Sequence, residues 1–247
     1  MKRTLVLSMV LAAAGAAQSA KFDVATVKKV EGGTPPGDIA RNMDTTPGNF
    51  AMRNVPLRFA VEWAWDLKDF EVVGPDWIKG EERYDIIAKA GHPASDNEMR
   101  PMLQALLLER FQMKTHRETK ELPVYVLLPG KGEAKVKPAG PDEKPTLSGN
   151  AQGATFTAFP ISRFTFMLTR RMDRPVLDQT GLKGIYTYTV DLSGLGFAGR
   201  PADRQEGEAG PSIFTTVQRD LGLKLEARKE PISMLVIDSA NKIPTEN

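Results

Sequence analysis

Two stretches of this chain determine its fold, MRNVPLRFAVEWAWDLKDFEVVGPDWIKGEERYDI at residues 52–86 and FTAFPISRFTFMLTRRMDRPVLDQTGLKGIYTYTV at residues 156–190. Adding 104 to a position in the first gives its counterpart in the second, and the identical pairs include Pro56/Pro160, Val72/Val176, Lys79/Lys183, Gly80/Gly184 and Tyr84/Tyr188. An internal repeat indicates that one supersecondary unit is used twice. We therefore expect two related repeats, with Lys79-Gly80 and Lys183-Gly184 in equivalent places.

The hydrophobic pattern predicts the same element order in each half: strand, helix, strands, helix and a strand pair. In the first half, residues 57–67 have one apolar helical face, and Ser95 and Glu98 have capping-box spacing before a second helix that contains Pro101. In the second half, Ser212 and Gly222 are placed to start and end a short helix. Four further segments are expected to be separate strands, at 112–117, 124–128, 223–227 and 232–237. The predicted class is α+β, with each repeat a small, mostly antiparallel sheet packed against two helices.

The N-terminus has the layout of a secretory signal peptide. Lys2 and Arg3 precede an apolar stretch that ends in small residues up to Ala20. We therefore expect export to the periplasm or the extracellular space, with residues 1–20 as the signal peptide. The expected domains are residues 21–130 for an N-terminal strand plus the first repeat, 131–150 for a Lys-, Pro- and Gly-containing linker, and 151–247 for the second repeat.

Composition restricts the classes of partner. The chain has 33 Lys and Arg and 31 Asp and Glu, and residues 1–20 contain two of the basic residues and no acidic one. The mature chain therefore has 33 − 2 = 31 basic and 31 acidic residues, so nucleic acid is not an expected partner. Cysteine is absent, so disulfides do not stabilise the fold. No second apolar run is long enough to predict a membrane span after signal removal.

The motifs that could support catalysis are weak. Residues 194–199 fit G-x-G-x-x-G, but the helix that must follow a dinucleotide-binding loop is not predicted there. Residues 239–242 fit S-x-x-K, but they lie in a polar tail. His92 and His116 have no second histidine at ligand spacing and no cysteine to join them. We predict no catalytic, cofactor-binding or metal-binding residues, although spacing alone leaves a spatially assembled triad open.

Aromatic residues and one long loop give the candidate partner-binding residues. Trp63 lies on the apolar face of its predicted helix, whereas Trp65 lies on another side and Trp77 follows a turn. An exposed tryptophan would indicate a partner surface. The Gly-rich segment 193–210 contains Leu195 and Phe197 as its only sizeable apolar residues, and we expect it to be mobile and available for contact. The predicted partner-binding residues are Trp65, Trp77, Leu195 and Phe197.

Several segments in order resemble a known family. They are FDVATVKKV at 22–30, WIKGEERYDIIAKA at 77–90, MLQALLLERFQMKTHRETKELPVYVL at 102–127, RPVLDQTGLKGIYTYTVDL at 174–192 and LGLKLEARKEPISMLVID at 221–238. The chain resembles the soil-associated family of exported acidobacterial proteins, a domain of unknown function. That resemblance implies no activity. Some members of the family are fused to an antibiotic-sensor-type membrane metallopeptidase, which implies sensing or binding in the cell envelope.

The function expected from these observations is a non-catalytic binding or sensing module of the cell envelope. Its partner would be an envelope protein or a peptide that adds a strand to an exposed sheet edge. Two alternatives are open: a hydrolase with a site between the two halves, using His116, and a structural envelope protein without a ligand. The sequence does not identify the ligand, the oligomeric state or the exact signal cleavage site.

Overall fold

The structure is a computed structural model that describes residues 21–31, 43–80, 82–150, 153–192 and 212–246. The helices in these ranges are α1 Leu57–Trp65, α2 Asp96–Arg110, α3 Ile161–Thr169 and α4 Ile213–Leu221. The strands are β1 Val24–Lys29, β2 Met43–Thr46, β3 Asn49–Pro56, β4 Val72–Val73, β5 Arg83–Lys89, β6 Lys114–Pro129, β7 Lys137–Pro138, β8 Thr146–Asn150, β9 Gly153–Phe159, β10 Val176–Asp178, β11 Tyr186–Val190 and β12 Leu223–Ser239. These elements confirm the predicted α+β class with small, mostly antiparallel sheets.

The chain divides into two compact units. The first combines the described residues up to Glu118 with those from Met234 onward, and the second is Thr119–Ser233. This division differs from the expected domains, because residues 234–247 were assigned to the second repeat. Leu235 and Ile237 are buried in the core of the first unit, so hydrophobic burial places the C-terminal end of β12 there.

The first unit contains a four-stranded antiparallel sheet in the order β1-β5-β3-β2. Helices α1 and α2 contact each other, and both bury apolar residues in the core that this sheet contributes to. The largest fully buried side chains of this core include Phe50, Met52, Tyr84, Leu103 and Phe111. Strand β4 adds a short parallel pairing with β12, in which Val72 lies opposite Leu235.

The two helices of the first unit follow from local sequence signals. Helix α1 buries Leu57, Ala60, Val61 and Ala64, the face that the sequence predicts. It ends at Trp65, two residues earlier than expected, because Asp66 adopts a left-handed conformation at φ 53°.

In α2, the Glu98 carboxylate accepts hydrogen bonds from the backbone N–H and the hydroxyl of Ser95, both at 2.8 Å. Pro101 lies inside this helix without ending it. The helix nevertheless buries an apolar face of Met99, Met102, Leu103, Leu106 and Leu107.

The second unit contains a four-stranded antiparallel sheet in the order β7-β11-β9-β8. Its core includes Phe156, Phe164, Tyr188 and Val217, and the rings of Phe156 and Tyr188 stack with centroids 4.9 Å apart. Strand β10 pairs in parallel with β6. Helix α4 begins where predicted, because the Ser212 hydroxyl accepts a hydrogen bond from the Thr215 N–H at 3.3 Å. It ends at Leu221, and Gly222, which has φ 65°, follows as its C-cap.

Three segments differ from the sequence-based expectation. The stretch 131–150 contains the strands β7 and β8, which pair with β11 and β9 at the two edges of the sheet. Their polar composition gives no apolar pattern from which a strand could be predicted, because an edge strand can be exposed on both faces. The other two segments are β6 and β12, each of which is one long strand rather than two. Their charged middle parts remain extended although they are largely exposed, so hydrophobic alternation does not mark them.

The two halves agree closely over their first strand and helix. Adding 104 to α1 at 57–65 gives 161–169, the bounds of α3. Asn54 and Ala158, which are 104 positions apart, both have positive φ, at 53° and 56°. Each lies at an irregularity in its strand pairing, between Met52 and Val55 in β3 and between Phe156 and Phe159 in β9.

The agreement does not extend to the following strand. Tyr84 lies opposite Val55, but Tyr186, not Tyr188, lies opposite Phe159, so the offset here is 186 − 84 = 102. Lys79 ends a 3-10 helix at Asp76–Lys79, whereas Lys183 lies in irregular chain. The expected equivalence of Lys79-Gly80 and Lys183-Gly184 is therefore not found. A residue in extended chain advances about 3.3 Å, whereas a residue in a 3-10 helix advances only about 2.0 Å. The connection to β11 lacks the 3-10 helix that precedes β5, so it needs fewer residues.

Candidate binding site beside the first strand

Two of the four predicted partner-binding residues, Trp65 and Trp77, lie in the described part of the chain. Trp65 is half-buried and packs against the core of the first unit. Trp77 is only 9% exposed, and the Lys242 ammonium lies 6.0 Å from the centre of its ring. Leu195 and Phe197 lie outside the described residues, as does the whole G-x-G-x-x-G segment.

Both histidines lie on the surface. His92 Nδ1 is 3.0 Å from the carbonyl oxygen of Pro93 in a loop. His116 Nδ1 is 2.9 Å and 3.0 Å from the two carboxylate oxygens of Asp238, and both side chains are about half exposed. Within the described ranges, no group of three or more His, Cys, Asp or Glu side chains is arranged to hold a metal ion.

The S-x-x-K segment, residues 239–242, makes contacts that attach it to the rest of the first unit. Ser239 is exposed at the end of β12. The Lys242 ammonium lies 3.5 Å from the Glu82 carboxylate, and the Lys242 carbonyl accepts a hydrogen bond of 2.8 Å from the Tyr84 hydroxyl. The tail after β12 is thus attached to β5 and does not present the serine in a site.

A cleft of about 330 Å³ lies in the first unit. One wall is the start of the chain as described, residues 21–25, which lead into and begin β1. The other wall is one face of α2, with Met102, Ala105 and Leu106 as its apolar part. Strand and helix come together here because Ala25 and Val27 pack against the same core in which Met102 and Leu106 are buried.

Charged side chains occupy the rim of this cleft. The Lys21 ammonium lies 3.0 Å from the Glu109 carboxylate. That hydrogen bond, together with the positive charge of Lys21, lowers the pKa of the Glu109 carboxyl below its usual value. The rim therefore has an ion pair that is exposed to solvent, directly above an apolar floor.

Arg110 is held by the C-terminal segment. Its Nη1 donates to the carbonyl oxygens of Thr245 at 3.2 Å and Glu246 at 2.6 Å, and its own carbonyl accepts a hydrogen bond from the Thr245 N–H. Its Nε is buried without a hydrogen-bond partner among the described residues. The cleft is thus lined by a guanidinium that the C-terminal segment holds in place.

Strand β1 is at the edge of its sheet, and among the described strands it pairs only with β5. The N–H of Val30 donates to the carbonyl of Arg83. In an antiparallel ladder, residues alternate between bonding to the partner strand and facing away from it. The N–H groups of Ala25 and Val27 therefore point away from β5, toward the open edge.

The sequence predicts β1 and the amphipathic face of α2 separately, but no local signal brings them together. Lys21, Phe22, Glu109 and Arg110 were accordingly missed as site residues. The one sequence hint is that Phe22–Val30 alternates apolar and polar residues, which is typical of a half-buried strand.

Comparison with known proteins identifies the family and no activity. Residues 59–240 match a family described as a protein of unknown function, DUF3738, and the chain belongs to that family. No curated protein and no solved structure is significantly similar to the chain. A domain of unknown function is what the sequence resemblance implied, whereas acidobacterial origin and fusion to a metallopeptidase stay predictions.

Among the described residues, no helix is both long enough and apolar enough to cross a membrane.

Proposed function

We propose that the protein is an exported, non-catalytic binding module of the cell envelope that takes up an extended peptide beside β1. The observation that supports this most strongly is the position of the cleft, whose two walls are the beginning of the edge strand β1 and the face of α2 that carries Met102, Ala105 and Leu106. Strand addition gives affinity through main-chain hydrogen bonds, and a neighbouring pocket gives specificity through one side chain.

The peptide backbone would bond to the open edge of β1. The N–H groups of Ala25 and Val27 supply donors there, spaced two residues apart as an added strand requires. Val24, at the start of this strand, is 65% exposed, so its surroundings are open to a second chain.

One apolar side chain of the peptide would enter the cleft. Met102, Ala105 and Leu106 form an apolar wall for it, and burying a large aliphatic side chain contributes about 1.5–3 kcal/mol before ordering costs. The Lys21–Glu109 pair would bound the opening without contributing a net charge, so a neutral or mixed-charge peptide fits best.

Export is the second part of the proposal. It rests on Lys2, Arg3, the apolar stretch and the small residues up to Ala20, which lie outside the described residues. Removal of residues 1–20 would leave Lys21 at or near the mature N-terminus, at the rim of the cleft. An envelope protein or a peptide in the periplasm is the corresponding class of partner.

We also propose that the two halves are one supersecondary unit used twice. The matching bounds of α1 and α3 support this, as does the positive φ shared by Asn54 and Ala158. Under this proposal, the offset of 102 between β5 and β11 arose from a change in the length of one half after duplication. The same proposal makes β7 the counterpart of β1, because each pairs antiparallel with the strand at the same place in its sheet, but β7 has only two residues.

A peptide library tests the binding proposal. Phage displaying random dodecapeptides would be selected on the mature protein, and enriched peptides measured by fluorescence anisotropy. We expect Ala105→Trp, which fills the cleft, to weaken binding at least about tenfold, the loss of about 1.4 kcal/mol of contact. The matched control is Leu108→Trp, on the same helix but outside the cleft lining and 36% exposed. Failure to enrich any peptide, or equal loss in both variants, would contradict the proposal.

The second candidate function is a hydrolase, and one observation favours it. The His116 imidazole is oriented by the Asp238 carboxylate, as a catalytic histidine is oriented by its acidic partner. Hydrolysis of p-nitrophenyl esters by the wild type, lost in both His116→Ala and Asp238→Asn, would support this function. If the wild type has no esterase activity, or if both variants retain it, the hydrolase hypothesis is contradicted and the binding module is kept.

A further inference from the structure

The outer face of α3 in the second unit has two guanidinium groups stacked on aromatic rings. The Arg163 guanidinium carbon lies 5.9 Å from the ring centre of Phe159 and 5.6 Å from that of Phe166. The Arg170 guanidinium carbon lies 5.9 Å from the centre of the same Phe166 ring. We refer to Phe159, Arg163, Phe166 and Arg170 as the α3 arginine–phenylalanine surface.

This surface is open and its charges are not neutralised. Phe166 is 47% exposed, although the same helix has Phe164 and Leu168 fully buried on its opposite side. Among the described residues, neither Arg163 nor Arg170 has a carboxylate within ion-pairing distance. Two unpaired cations that flank an exposed aromatic ring are complementary to a partner with two anions and an apolar group between them.

Stacking leaves a guanidinium ready for a carboxylate. A ring covers the face of the planar group, and the N–H donors in its plane stay free to form bidentate bonds. Arg174 in the same unit shows the completed arrangement: its guanidinium carbon is 5.5 Å from the Tyr125 ring centre, and its Nε donates to the Asp173 carboxylate at 3.3 Å.

The spacing of the two arginines suits an extended peptide. They are seven residues apart, which on a helix corresponds to about 10 Å along the axis. Side chains alternate between the two faces of an extended chain, so carboxylates four residues apart face the same side. They are about 13 Å apart, which the long arginine side chains can span. The single exposed ring between them is a small apolar area, which favours a peptide over a bilayer, because interfacial helices need a broad apolar face.

We propose that the α3 arginine–phenylalanine surface docks an extended acidic peptide segment. Two carboxylates four residues apart would bind Arg163 and Arg170, and an apolar residue midway between them, on the same face of the peptide, would cover Phe166. This site is independent of the cleft in the first unit, so each proposal can fail without the other.

Synthetic peptides test this inference on the mature protein. The probe is a fluorescein-labelled octapeptide with two aspartates four residues apart and a leucine midway between them, and the comparison peptide has asparagines at both aspartate positions. We expect saturable binding of the aspartate peptide with a Kd below about 1 mM, and at least about tenfold weaker binding of the asparagine peptide. Equal affinity for the two peptides, or no binding of the aspartate peptide at about 1 mM, would overturn the proposal.

Variants separate the guanidinium geometry from general charge. Arg163→Gln/Arg170→Gln should lose binding, and Arg163→Lys/Arg170→Lys should weaken it at least about fivefold, because lysine lacks the planar fork. The matched control is Lys131→Gln/Lys183→Gln, which removes the same charge from exposed positions in the same unit and should bind normally. Equal losses in the control would overturn the proposal. Sedimentation with phosphatidylglycerol vesicles that depends on Arg163 and Arg170, without preference for the aspartate peptide, would assign the surface to lipid and also overturn it.

Discussion

Lys21 and Glu109 are joined by an ion pair of 3.0 Å that links the residues before β1 to the last turn of α2. The two residues are 88 positions apart in the sequence, and their contact crosses the opening of the cleft. Any change at this pair therefore alters both the rim of the proposed site and the attachment of the N-terminal segment.

Glu109→Gln should show a pH-dependent effect. The pKa of Glu109 is lowered in the folded protein, chiefly by its hydrogen bond from Lys21. A depressed carboxyl pKa stabilises the fold above the unfolded value, about 4.5, and that stability is lost as the pH falls through the folded pKa. Urea denaturation should show wild type slightly more stable than the variant at pH 7, by less than about 1 kcal/mol for an exposed pair. The difference should vanish near pH 3, and a difference that grows at pH 3 would show that the sign is wrong.

Tyr84→Phe should reduce the free energy of unfolding by about 1 kcal/mol. Tyr84 is fully buried, its ring meets Phe111 edge to face at 4.9 Å, and its hydroxyl holds the Lys242 carbonyl. Removing the hydroxyl leaves that carbonyl without its 2.8 Å bond.

The matched control for this prediction is Tyr188→Phe. The Tyr188 hydroxyl bond to the Pro160 carbonyl is longer, at 3.3 Å, so its loss should cost less. Chemical denaturation of both variants gives the comparison. A larger loss in Tyr188→Phe would contradict the assigned role of the Lys242 contact.

Ala158→Val tests the irregularity in β9. Ala158 has φ 56°, a conformation that costs an L-residue about 1–2 kcal/mol and a β-branched residue more. Ala154→Val, in the same strand and similarly buried, introduces the same side chain at a position without positive φ. We expect Ala158→Val to lower the melting temperature clearly further than Ala154→Val, and equal effects would show that the backbone conformation is not responsible.

Gly222→Ala should destabilise the second unit. Gly222 ends α4 at φ 65°, and a Cβ atom there would lie 2.7 Å from the Glu133 carbonyl oxygen. Conformational strain and this close approach to backbone should together cost more than about 1 kcal/mol. Gly181→Ala is the control: it also has positive φ, at 76°, but no atom lies within 4 Å of the added Cβ. Thermal melting of the two variants separates strain from steric contact.

Local signals in the sequence predict the helices and their ends well. Glu98 accepts from Ser95, Ser212 and Gly222 bound α4, and the buried face of α1 follows from its apolar spacing. These features depend on residues within a few positions of one another, where side-chain chemistry and helical geometry leave few alternatives.

Features formed by distant residues could not be predicted in this way. The cleft combines residues 21–25 with residues 102–110, and no pattern in either segment specifies the other. Strands β7 and β8 are stabilised by pairing with β11 and β9, not by an apolar face of their own. The offset between β5 and β11 is 102, not 104, because the connections that lead to these strands differ in length. The identical residues in the two connections keep the offset of 104, so the sequence does not indicate this difference.

Hydrogen exchange at two backbone amides tests the central claim most directly. The N–H groups of Ala25 and Val27 should exchange rapidly in the free protein, because they face the open edge of β1, and the Lys28 N–H provides an internal reference that points toward β5. When a library-selected peptide saturates the protein, we predict that exchange at Ala25 and Val27 slows at least about tenfold while Lys28 changes little. Unchanged exchange at Ala25 and Val27, with the peptide bound, would contradict strand addition at β1.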